Sequence, residues 1–127
     1  MYVIMAKEVV YMIFKVSGIL ILVFFTLAAA NGVKKFIKLP LIDAIAKQHR
    51  VFGMLTTLTA FIHAGYALSM DMLRLTGSAT LISLILTGVF GMLYYQKKKK
   101  WMYIVHRITG PLTLFLVIVH IILNNSV

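Results

Sequence analysis

Residues 49–70 read HRVFGMLTTLTAFIHAGYALSM, and this stretch decides what kind of fold the chain can adopt. After Arg50 it runs to Met70 without a charged side chain, about the 20 mostly apolar residues that a helix needs to cross a bilayer. Two histidines, His49 and His63, interrupt the apolar run 14 residues apart. A second stretch matches it 57 positions later, residues 106–120, HRITGPLTLFLVIVH. His49, Arg50, Gly53, Leu55, Thr56 and His63 recur there as His106, Arg107, Gly110, Leu112, Thr113 and His120. Fourteen residues turn a helix by about 1400°, some 40° short of four turns, and raise it by about 21 Å. Each pair of histidines therefore leaves its helix on nearly one face, at two depths.

Two further apolar stretches complete the pattern. One runs from about Val9 to Ala30, broken by Lys15; the other covers Ser78 to Gln96 without a charge. The expected fold is all-α: an integral membrane four-helix bundle forming one domain over residues 1–127. Its helices are expected at about 9–30, 41–70, 78–96 and 101–126. Segment 34–48 mixes Phe36, Ile37, Leu39, Leu41, Ile42 and Ile45 with Lys34, Lys35, Lys38, Asp43 and Lys47. It reads as an interfacial lead-in to the second crossing, with Pro40 opening a helix at its first turn.

Composition points the same way. Of the 127 residues 61% are hydrophobic and 13% charged, against about 45–50% and 25% in soluble domains. A soluble fold this small cannot hide so much apolar surface. Thirteen Lys and Arg against three acids give a net charge of +10. In a soluble protein that would suggest nucleic acid; in one so apolar it describes cationic membrane loops, with lipid and not nucleic acid as the surroundings. The absence of cysteine excludes disulfides, thiolate metal sites and an iron–sulfur cluster held by this chain.

The basic residues also orient the crossings. Lys34, Lys35, Lys38, Lys47, Arg50, Lys97, Lys98, Lys99, Lys100 and Arg107 fall at the first and third loops, whereas Lys7, Lys15 and Arg74 fall at the other ends. Both termini are therefore expected outside a plasma membrane, with the basic loops cytoplasmic. Tyr94, Tyr95, Trp101 and Tyr103 flank the tetralysine as an aromatic belt would. A cleavable signal peptide at the N-terminus is disfavoured, because its removal would export the basic loops.

On this topology the second and fourth helices run the same way. His49 then matches His106 in depth near the inner surface, and His63 matches His120 toward the outer one. Haem iron takes two axial ligands on opposite sides of a flat macrocycle, and facing helices of a bundle can supply them. Two b haems are expected, the inner held by His49 and His106, the outer by His63 and His120. Gly53 and Gly110, four residues past a ligand, leave room for the porphyrin. Arg50 and Arg107 sit where propionates would point toward the basic surface. Phe52, Phe61 and Phe115 are expected in the core. The crossings lack the carboxylates expected of a zinc site or proton relay, which weighs against a non-haem metal or proton path; no catalytic residue is assigned.

The two H-R-x-x-G…H segments resemble the membrane core of the ferric reductase and NADPH oxidase superfamily, and the haem-bearing bundle of respiratory cytochrome b. Both carry two histidines, 13 or 14 apart, on the second and fourth helices of a four-helix core. The resemblance covers roughly residues 10–127. It implies an electron-transfer component of an oxidoreductase, passing electrons from a cytosolic donor to an external or membrane acceptor. Ferric reductase-type proteins often add helices and a flavin and nicotinamide domain. The four crossings account for all the residues here, so the electrons are expected from a partner flavoprotein, iron–sulfur subunit or quinol. A quinone-linked anchor subunit and a haem-free proton or metal-ion transporter are the competing readings, and an oligomer is compatible with each.

Overall fold

The computed structural model describes residues 1–125; the end of the expected fourth helix at 126 lies outside the described residues, as does Val127. The described residues form five helices and no strand. Four of them are long and apolar enough to cross a membrane: α1 (Tyr2–Val33), α3 (His49–Ser69), α4 (Leu75–Lys97) and α5 (Lys100–Asn125). The short α2 (Pro40–Lys47) opens at Pro40, whose missing N–H falls where a helix has no intrahelical acceptor for it.

These boundaries correct two expectations. α1 starts at Tyr2, seven residues before 9, and takes in Lys7 and Glu8. The segment expected as one helix over 41–70 is two, separated at Gln48 (φ −94°, ψ 14°), which ends α2 and precedes α3. Ile42, Ile45 and Ala46 are the less exposed side chains of α2, whereas Leu41 and Lys47 are exposed. An amphipathic segment of this kind turns one face to its neighbours and leaves the other exposed.

The chain divides into two compact units, Met1–Met72 and Leu73–Val127. In the first, α1 and α3 pack as an antiparallel pair with α2 bridging their connection. In the second, α4 and α5 pack as an antiparallel pair joined by a tight turn. That turn uses Lys98 in the left-handed region (φ 54°), its N–H bonded to Tyr94 O at 2.8 Å. Lys98 Nζ lies 4.6 Å from the centre of the Tyr95 ring and 5.7 Å from that of Tyr94, and the Tyr94 ring packs 5.1 Å from Tyr103.

The interiors of both units are built from small residues. Ser17, Ala28, Thr56, Thr59, Ala60, Ala67, Ser83 and Thr113 are buried, and the larger buried apolar side chains are Leu84, Met102 and Val117. Such residues let helix backbones approach closely without a hydrophobic driving force, as in lipid. Bulky side chains point away instead: Ile19 is 61% exposed, Ile82 60% and Ile108 62%. Phe61 and Phe115, expected in the core, are also exposed, at 53% and 61%, and lie outside the interior of their own hairpins. Their helices spend the inner face on small and hydroxyl-bearing side chains.

Candidate functional site: four histidines laid against neighbouring helices

Within each unit the histidines of the second long helix lie against the first. His49 Nδ1 is 2.7 Å from Ala28 O of α1, and His106 Nδ1 is 2.7 Å from Thr87 O of α4. A carbonyl only accepts, so both rings donate from Nδ1. His63 Nδ1 lies 3.1 Å from both Phe14 O and Ser17 Oγ. Ser17 donates its own proton to Phe14 O at 2.7 Å, which leaves its oxygen to accept from the ring. The Phe14 ring stacks on the His63 imidazole, 4.3 Å between centres and 15° between planes.

His120 Nδ1 has two neighbours, Thr76 Oγ1 at 3.0 Å and Asn124 Nδ2 at 3.0 Å. The Asn124 amide also donates to His120 O at 2.6 Å. In this orientation the amide nitrogen offers a proton to Nδ1, which places the ring proton on Nε2. With the amide turned away, Thr76 accepts from Nδ1 as the oxygens beside the other three rings do. All four histidines are half-buried.

Glycines let the rings lie so close to the neighbouring helix. A Cβ on Gly18 would come within 3.2 Å of His63 Cε1, and one on Gly77 within 3.0 Å of His120 Cε1. On Gly91 it would come within 2.8 Å of His106 Nδ1, closer than real Cβ contacts allow. Gly53 and Gly110, expected to leave room for a porphyrin, face open space: a Cβ there meets nothing within 4 Å among the described residues. They are therefore not close-contact glycines of their hairpins. Arg50 and Arg107 are exposed and leave their helices about 100° round the axis from the adjacent histidine.

Superposing these contacts on the sequence extends the internal repeat to the helices that carry no histidine. Ser17-Gly18 and Thr76-Gly77 do the same work 59 positions apart, as do Ala28 and Thr87. Lys15-Val16-Ser17-Gly18 then lies over Arg74-Leu75-Thr76-Gly77, and Gly32 over Gly91. Direct inspection finds no match between α1 and α4, because only two glycines and two leucines are identical over 14–34 and 73–93. One signal was available: Gly18 and Gly32, like Gly77 and Gly91, stand 14 apart, the histidine spacing.

Among the described residues no group of three or more His, Cys, Asp and Glu side chains converges as a metal-ion site. No family model matches the chain, and neither the curated proteins nor the solved structures contain a similar one.

Proposed function

We propose that the chain is a membrane b-type dihaem cytochrome, an electron-transfer component that works with a partner subunit. One observation carries the reading. Both hairpins set two imidazoles, 14 residues apart, against a neighbouring helix; His49, His63 and His106 donate from Nδ1 to a carbonyl or hydroxyl oxygen, and His120 Nδ1 lies between Thr76 Oγ1 and the Asn124 amide. Ligating histidines are oriented in this way: an Nδ1–H bond fixes the tautomer and leaves Nε2 as the basic nitrogen. The donor set suits a macrocycle that needs two axial imidazoles per iron better than a bare cation, which needs three or more converging ligands.

In this reading His49 and His106 hold the inner haem and His63 and His120 the outer one, within a four-helix bundle. Bound haem supplies reversible one-electron chemistry. The chain supplies the rest. Carbonyls of Ala28, Phe14 and Thr87 hold three rings in orientation; Gly18, Gly77 and Gly91 clear the space beside them. Arg50 and Arg107 offer guanidinium groups to the propionates of the inner haem. In this reading the apparatus sits in a plasma membrane, with both termini outside and the basic loops in the cytoplasm. The apolar outer faces support the membrane, and the distribution of Lys and Arg supports the orientation. A flavoprotein, an iron–sulfur subunit or a quinol delivers electrons on the cytosolic side. The acceptor lies in the membrane or outside.

A pyridine haemochrome assay on the purified chain tests this directly. Two b haems per chain are expected, with the spectra of six-coordinate bis-histidine iron. His63→Ala and His120→Ala should each remove one haem and leave the other. A colourless protein after expression with ample haem would overturn the reading, and so would retention of both haems in these variants.

A further inference from the structure

We propose that Thr113 is a positioning residue for His106 of α5, acting through the carbonyl of Thr87. The inference deepens the reading above, since it takes His106 as an iron ligand. Thr113 is wholly buried, at 0% exposure, and stands seven residues from each histidine, on the face they share. Its Oγ1 lies 2.8 Å from Ser83 Oγ and 3.2 Å from Thr87 Oγ1, both on α4. Counting protons assigns the bonds. Thr87 donates to Ser83 O at 2.8 Å and Thr113 to Thr109 O at 2.8 Å, so the Ser83 hydroxyl donates to Thr113. That bond ties one turn of α4, residues 83–87, to the midpoint of α5. The far end of the same turn is Thr87, whose carbonyl accepts the His106 Nδ1–H.

The first hairpin has no such device. At the positions equivalent to Ser83 and Thr87 it carries Phe24 and Ala28. Thr56, the counterpart of Thr113 and nearly as buried at 1%, bonds back to Phe52 O of its own helix at 2.7 Å. The two hairpins therefore hold their imidazoles by the same Nδ1 bond but set helix register by different means. In the second it is a hydroxyl bond between helices; in the first, Phe24 and Ala28 offer no hydroxyl for one. The same substitution at equivalent positions should consequently have unequal effects.

The test compares Thr113→Val with Thr56→Val in the detergent-solubilised full chain; each swap keeps side-chain shape and removes the hydroxyl. In nitrogen-15 histidine NMR of the haem-free chain, Thr113→Val should disturb the Nδ1–H signal of His106, and Thr56→Val should leave His49 and His63 unchanged. In the haem-loaded chain, transfer of haem to an apo-acceptor should quicken about three- to tenfold in Thr113→Val, the worth of one interhelical hydrogen bond. Thr113→Ser should restore both readouts. Ser83→Ala removes the same bond from the α4 side and should reproduce the effect, which keeps the test usable if Thr113→Val does not fold. An unchanged His106 signal in both Thr113→Val and Ser83→Ala would overturn the proposal, as would equal disturbance by Thr56→Val. A wild-type chain without haem would overturn the cytochrome reading, while the NMR comparison would still judge Thr113.

Discussion

At the scale of single residues, the contact between a glycine and an imidazole is the feature most exposed to test. A Cβ on Gly91 would sit 2.8 Å from His106 Nδ1 and 2.9 Å from its Cε1, and these are ring atoms close to the backbone, not the tip of a flexible side chain. Gly91→Ala should therefore displace the ring from Thr87 O and destabilise the hairpin by about 1–3 kcal/mol. Gly32 is its counterpart in the repeat, yet a Cβ there meets nothing within 4 Å among the described residues. Gly32→Ala should be neutral, or stabilising by up to about 1 kcal/mol through helix propensity. Thermal denaturation in detergent, with haem content per chain measured alongside, compares the two. Asn124→Leu is the second residue-scale case. It removes the amide proton offered to His120 Nδ1 and leaves Thr76 to accept from the ring. It should slow loss of the outer haem; faster loss would mean that Asn124 supports the ligand.

Within the elements, hydroxyl side chains are satisfied by the backbone of their own helix. Thr56, Thr57, Thr59, Thr80, Thr87, Thr109 and Thr113 each donate to a backbone carbonyl four residues back, which satisfies hydroxyls that would be costly to bury unpaired. α5 continues through Pro111, which cannot donate to Arg107 O. The end of α3 is a Schellman-type stop, with Met72 N bonded to Ala67 O at 2.8 Å and Asp71 N to Leu68 O at 3.2 Å. Asp71 sits there in the left-handed region, φ 54°, where a Cβ is unfavourable. Asp71→Gly should accordingly stabilise the chain by about 1 kcal/mol, read as a higher melting temperature with haem content unchanged.

For the whole molecule the decisive property is sidedness. Because the chain has no cysteine, single cysteines report topology without background. Lys35→Cys and Lys98→Cys should react with an impermeant maleimide only after the membrane is opened or inverted. Asp71→Cys should react in intact cells. The reverse pattern would place the basic loops outside and exchange the inner and outer assignments.

Much of this was legible in order. The four long helices follow from apolar run length, which is a local property, and the histidine register follows from helical pitch alone. The divided lead-in at Gln48 was harder to see, since apolar residues continue on both sides of it and pitch says nothing about where a helix turns. The glycines that face an imidazole, Gly18, Gly77 and Gly91, were not legible, because they lie on helices without histidine and their proximity is spatial only.

What the amino-acid order determined by itself is the number of helices long and apolar enough to cross a membrane, the duplication of the histidine-bearing helix and the face on which its rings stand. Those depend on composition and on rotation per residue, which a helix imposes wherever it lies. Only tertiary packing decided which atoms the rings meet: Ala28, Phe14 and Thr87 carbonyls, the Ser17 and Thr76 hydroxyls, and the bare backbone of Gly18, Gly77 and Gly91. Those partners lie 15 to 49 residues away along the chain, a distance that no periodicity spans, and close approach of two antiparallel helices alone brings them together.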